Sequence, residues 1–161
     1  MRHLNRFVIA LAAAAAVLAA AMPASAEAPE LKPDLVVDGI TLNPAGNIVV
    51  EIRNAGPGPM PESAWKATES YAACFVIMIG VQFVDYATLW AADPDRALRS
   101  PGGKVTYTSP IRITEPTAVR VWMDITEQVD EADEANNIKQ ALLKPAPAKA
   151  PGDDPGKGPG R

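Results

Sequence analysis

Hydrophobic residues recur at every second position over much of this chain, the period of a strand with one buried face. Ile48, Val50 and Ile52 point one way, while Val49, Glu51 and Arg53 point the other. Ala118 to Ile125 repeats the pattern, with Val119, Val121, Met123 and Ile125 on one face and Arg120, Trp122 and Asp124 on the other. Leu35-Val36-Val37 and Ile40-Thr41-Leu42 are β-favouring runs, and Asp38-Gly39 between them marks a bend or a bulge. Lys104 to Ser109 turns Val105 and Tyr107 inward, Ile111 and Ile113 continue that pattern, and Ile138 to Leu143 closes the series. The strongest run is Ala73 to Asp85, where Phe75, Ile77, Ile79, Val81 and Phe83 form one face. Val76, Met78, Gly80, Gln82 and Val84 form the other, also largely apolar. That predicts a central position, as one strand or as two bent at Gly80. A buried helix competes there, but the β-branched and aromatic content favours strand.

Turn chemistry separates these runs. Asn43-Pro44-Ala45-Gly46-Asn47, Pro101-Gly102-Gly103 and Glu115-Pro116 supply fixed or positive φ. Asn54 to Pro61 holds two Gly and three Pro, too many breakers for a regular element. Glu62 to Tyr71 has no clear period, and Trp65 is the expected core anchor beneath it. A helical turn is expected after Asp93-Pro94. Short strands without a sustained amphipathic helix predict an all-β, two-layer antiparallel sandwich.

Composition changes the picture at both ends. Arg2, His3 and Arg6 precede an apolar run from Phe7 to Ala21, then Pro23 and Ala24-Ser25-Ala26. This is the pattern of a secretory signal peptide over residues 1–26, cleaved before Glu27. The apolar run is about 15 residues, short of the roughly 20 that span a bilayer. Residues 27–32 read as a short leader, 33–144 as the folded domain, and 145–161 as a disordered Pro/Gly/Ala-rich tail. The expected mature chain has 135 of the 161 residues, and loss of Arg2 and Arg6 takes its net charge from -4 to -6. An acidic chain without a basic cluster argues against nucleic acid and anionic membrane partners.

The chemistry that is missing narrows the function further. His3 is the one histidine and leaves with the signal peptide, so the mature chain has no imidazole base or ligand. No Gly-rich phosphate loop is present. Cys74, the single cysteine, sits in an apolar run and is read as a buried thiol. These absences predict a protein that is not an enzyme and needs no cofactor.

One segment stands out: Asp124 to Asn137 carries six carboxylates in 14 residues, with no basic residue before Lys139. Carboxylate and amide oxygens are calcium ligands, so calcium is the possible cofactor, with Asp124, Asp130, Asp133 and Glu134 as weak metal candidates. The glycine of a helix–loop–helix calcium loop is absent, since Val129 stands in its place. The plainer expectation is a loop whose side chains bond its own backbone amides.

Within this segment Asp124, Val129, Glu131, Glu134, Asn136 and Asn137 form the pattern Asp-x4-Val-x-Glu-x2-Glu-x-Asn-Asn. It resembles the C-terminal signature of the CARDB domain, the cell-adhesion-related domain of bacteria. Pro33-Asp34-Leu35-Val36-Val37 looks like that family's first strand, and Val50 to Gly56 resembles its second strand and turn. The middle departs from the family, since Tyr71 to Leu89 is longer and more apolar than its pattern. The resemblance implies an immunoglobulin-like antiparallel β-sandwich of about seven strands, with the motif residues forming turns. The functional expectation is an exported, periplasmic or extracellular, non-catalytic module that contacts an unknown protein or cell-envelope component. The alternatives are a calcium-binding module using the acidic loop and a small carboxylate-based glycan hydrolase.

Overall fold

A computed structural model describes residues 30–66 and 72–146. The expected signal peptide, the first residues of the leader and the tail beyond Ala146 lie outside the described residues. Within them the chain forms β1 (Leu35–Leu42), β2 (Asn47–Asn54), β3 (Cys74–Ile79), β4 (Gln82–Thr88), α1 (Leu89–Ala92), β5 (Lys104–Arg112), β6 (Thr117–Trp122) and β7 (Ile138–Leu143). The strands pair antiparallel in two sheets, ordered β1-β2-β5 and β4-β3-β6-β7. This is the two-layer sandwich that the alternation predicts.

The inner faces are the predicted ones in β2 and β6. Leu35, Val37, Ile40, Ile48, Val50 and Ile52 are buried from the first sheet, against Phe75, Ile77, Val119 and Val121 from the second. Burying each such side chain is worth about 1.5–3 kcal/mol. The rings of Phe75 and Tyr107 meet edge to face across the sandwich, with centroids 5.2 Å apart. In β1 the register shifts between Val37 and Gly39, so Asp38-Gly39 is a bulge that keeps Ile40 facing inward. The β1–β2 turn is held by Asn43, whose Oδ1 accepts from the N–H groups of Ala45 (3.0 Å) and Asn47 (2.9 Å).

Details differ from expectation. Of the two forms expected for the Ala73–Asp85 run, the structure has two strands parted at Gly80 (φ +62°), but they fold back on each other as a hairpin. β3 is internal to its sheet and β4 is at the edge. Reversal and a register shift between Ile77 and Met78 break the expected face, leaving Val81 92% and Phe83 64% exposed. The helical turn expected after Asp93-Pro94 is present, and a second one, α1, precedes Asp93, where Thr88 Oγ1 accepts from Ala91 N–H. A short 3-10 turn at Ala97–Arg99 follows, with its Ala97 and Leu98 amides donating to the buried Asp93 carboxylate at 2.7 and 3.0 Å. Cys74 is half-buried on the outer side of β3, and the partial burial pushes its thiol pKa up. Trp65 is 2% exposed and anchors the 54–73 connection to the core, as its composition predicts.

Candidate functional site

The acidic segment begins where β6 ends. Asp124 adopts positive φ (39°), which turns its side chain inward; it is 3% exposed, against the outward position expected from alternation. Its Oδ2 accepts from Val129 N–H at 2.7 Å, and its backbone carbonyl accepts from Glu127 N–H at 2.8 Å. Val129 thereby enters the core. Glu131 Oε1 accepts from Leu35 N–H at 3.1 Å, and Asn136 Nδ2 donates to Asp34 Oδ1 at 2.9 Å. Ala132 N–H donates to Pro33 O at 2.8 Å. The loop clamps the start of β1, about 100 residues earlier in sequence.

Three of the four metal candidates, Asp124, Asp130 and Glu134, line one cleft, yet each of the four is engaged by another group of the chain. Asp124 closes its own turn, and Asp133 Oδ1 accepts from Ala135 N–H at 2.9 Å. Glu134 Oε1 accepts from Glu131 N–H at 2.9 Å and its Oε2 from Asn137 Nδ2 at 3.4 Å. Asp130 points outward and pairs with Lys32 at 2.6 Å. Among the described residues, no three His, Cys, Asp or Glu side chains gather into a metal-binding group. The local motif places Asp124, Asp133 and Glu134 near turn amides, and those amides take them up.

Burial has a price in protonation. Burial raises the Asp124 carboxyl pKa, and bonds from the amides of the Val129 turn draw it partly back. Glu131, 4% exposed, is pushed up to about 8 by burial, against the drawing-down effect of Asn137 and the Leu35 N–H. The carboxyl therefore holds a proton near neutral pH. Its Oε2 and the Oδ1 atoms of Asn136 and Asn137 are buried without hydrogen-bond partners. A carboxylic O–H on Glu131 adds a donor to a group otherwise rich in acceptors.

Sequence reasoning missed Asn54, which is fully buried at the end of β2. Its Oδ1 accepts from Asp34 and Gly56 N–H groups, both at 3.1 Å, and its Nδ2 donates to Gly58 O (3.0 Å) and Leu98 O (3.3 Å). The Asn-Ala-Gly turn signal marked the place but not these partners. Asn54→Ala strands several of these groups, each at about 1–3 kcal/mol. The expected result is a urea midpoint lowered by that order with an unchanged slope.

The two outer sheet faces differ in chemistry. On β1-β2-β5, Asp38 pairs with Arg53 at 2.9 Å and with Lys104 at 3.0 Å, and Glu51, Thr106 and Thr108 lie exposed nearby. On the other sheet, register aligns Tyr86, Val76, Trp122 and Ile138 in one row across all four strands. Tyr86 is 69%, Trp122 38% and Ile138 50% exposed. The neighbouring row is Phe83, Met78, Arg120 and Gln140, and Leu142 lies beyond it on β7. Where the row meets the acidic loop, Trp122, Ile138, Glu127, Gln128, Asp130 and Glu134 line an open cleft of about 690 Å³.

No family model and no curated protein matches this sequence. Solved structures do. One is a domain assigned to a cell surface protein of Methanosarcina acetivorans, with 18% identity and a TM-score of 0.55, covering 74% of this chain and 97% of that one. Another is the CARDB domain of a Pyrococcus furiosus protein, solved with di-metal ions, with 15% identity and a TM-score of 0.45, covering 74% of this chain and 100% of that one. The likeness to the Methanosarcina domain is one of fold, an antiparallel β-sandwich. In this sandwich the motif residues Asp124, Val129, Glu131, Glu134, Asn136 and Asn137 tie the loop to itself and to β1. Among the described residues no helix is long and apolar enough to cross a membrane.

Proposed function

We propose that this chain is an exported, non-catalytic module that works by contact, through the outer face of the β4-β3-β6-β7 sheet. The observation that carries the reading is the contrast between the two faces. An antiparallel sandwich ordinarily exposes polar residues on both outer faces, and a contiguous apolar face marks an interaction surface. The signal-peptide pattern and the cell surface assignment of the Methanosarcina domain support the exported setting. The test is retention of solubilised envelope proteins on the immobilised mature chain. Trp122→Glu is expected to lose most of the retention, while Thr106→Glu on the polar face keeps it. Equal behaviour of the two variants removes the sheet face from the reading.

A second reading assigns calcium to the acidic loop, favoured by the three buried oxygens without partners. Calcium would have to displace the Glu131 proton, so its stabilising effect must grow as pH rises toward 8. Thermal unfolding with excess calcium and with EDTA, at two pH values, decides it. Equal midpoints in both media end the calcium reading. The hydrolase reading asks for a carboxyl of raised pKa in a groove. Glu131 has a raised pKa but bonds Leu35 N–H in the interior and does not line the cleft, while Asp124, also raised by burial, lines the cleft but is 3% exposed and held by Val129 N–H.

A further inference from the structure

The apolar sheet face is ordered along the strands as well as across them. The row Tyr86, Val76, Trp122 and Ile138 crosses four strands and spans about 14 Å at the usual strand spacing. On one side, about 7 Å along β6, lies Arg120. On the other side, Glu127, Asp130 and Glu134 rim the cleft floored by Trp122 and Ile138. The face thus has an apolar centre, a positive side and a negative side.

We propose that this face is the interface of a symmetric dimer, with a second copy of the chain packed on it sheet to sheet. The proposal rests on the contact-surface reading above and names its partner. A two-fold axis running along the Tyr86–Ile138 row sets each apolar residue over its own copy. The same rotation carries Arg120 of one subunit over the carboxylate rim of the other, twice per interface. An axis along the strands would instead bring the positive sides together and the negative sides together, which opposes association. Closed two-fold pairing is the commonest oligomer, and it requires such self-complementarity.

Area agrees with this occupant. At their observed exposures Phe83, Tyr86 and Trp122 present roughly 350 Å² of aromatic surface. Ile138, Leu142 and the flanking polar side chains extend the patch toward the roughly 800 Å² per partner of a stable interface. The pairing repeats the packing inside the sandwich, where two sheets stack about 10 Å apart.

The test is sedimentation velocity on the mature chain over a micromolar-to-millimolar series. The wild type is expected to move from monomer to dimer. Trp122→Glu is expected to weaken the dimer at least about tenfold, with circular dichroism confirming that the variant folds. Arg120→Glu and Glu127→Arg are each expected to weaken it about tenfold, and together to restore it. A wild type that stays monomeric throughout, or a double swap no better than either single one, overturns the dimer. If the dimer fails while Trp122→Glu still loses envelope retention, the contact-surface reading stands without it. If retention is also unaffected, both fall.

Discussion

Trp65→Ala is expected to destabilise the protein by about 3–5 kcal/mol, a large part of the 5–15 kcal/mol that holds a domain of this size. The indole is 2% exposed and is gathered into the same core as Met60, Leu89, Ala92 and Leu98. Among the described residues of this connection no strand forms. It is fastened by the ring, by Met60 N–H bonding Arg99 O at 2.9 Å, and by the Arg96–Glu62 ion pair above the ring. Removing the indole leaves a cavity beside the short 3-10 turns Glu62–Trp65 and Ala97–Arg99. A conservative variant separates volume from polarity. The Trp65 Nε1–H is buried without an acceptor, so Trp65→Phe loses volume and also removes an unsatisfied donor. Trp65→Phe is therefore expected to cost much less than Trp65→Ala. Urea unfolding followed by far-ultraviolet circular dichroism measures both, and similar midpoints for the two variants would refute the anchor role.

The second large effect is a fall in stability between about pH 4.5 and 8, carried by Glu131. Its carboxyl loses a proton near 4.5 in the unfolded chain and near 8 in the fold. Between those values the folded state holds a proton that the unfolded state has released, so stability falls as pH rises. The contribution is complete below 4.5 and is lost as pH passes through about 8. Burial raises the Asp124 carboxyl in the same direction, reinforcing the trend. The midpoint of thermal unfolding is expected to drop by about 5 °C or more across this window. Glu131→Gln keeps an acceptor for Leu35 N–H and replaces the acidic O–H by an amide donor. Its unfolding midpoint is expected to match wild type near pH 5 and to vary much less with pH. Glu131→Ala strands the Leu35 amide and is expected to cost about 1–3 kcal/mol near pH 5, with the difference from wild type shrinking as pH rises toward 8. A Glu131→Gln profile with the wild-type slope would place this loss elsewhere.

The two effects belong to different parts of one design. Trp65 closes the end of the sandwich where no strand runs. The Asp124–Asn137 loop closes the β1 end with polar groups, and its family-like residues act there as fasteners. Both leave the outer face of the four-stranded sheet free of covering chain among the described residues, as the exposures of Tyr86 and Trp122 record.

Much of the fold was legible without coordinates. β2 and β6 bury one face, so each wrote its orientation into a period of two, and the Asp38-Gly39 bulge and the Asn43–Asn47 turn were marked by breaker residues. The acidic segment could also be read as a turn that satisfies its own amides. Tertiary structure alone decided the rest. In Ala73–Asp85 both faces are apolar, so periodicity could not say where the chain reversed; pairing with β6 and the register shift at Ile77/Met78 turned Phe83 and Tyr86 outward. Asp124 and Glu131 lie in a segment whose composition reads as solvated. They are buried because their partners are a turned-back amide and Leu35, 96 residues distant from Glu131. Local sequence records which residues can alternate, turn or accept a hydrogen bond. Which distant amide takes the bond, and which apolar face is left open to another molecule, is set only when the two sheets close on each other.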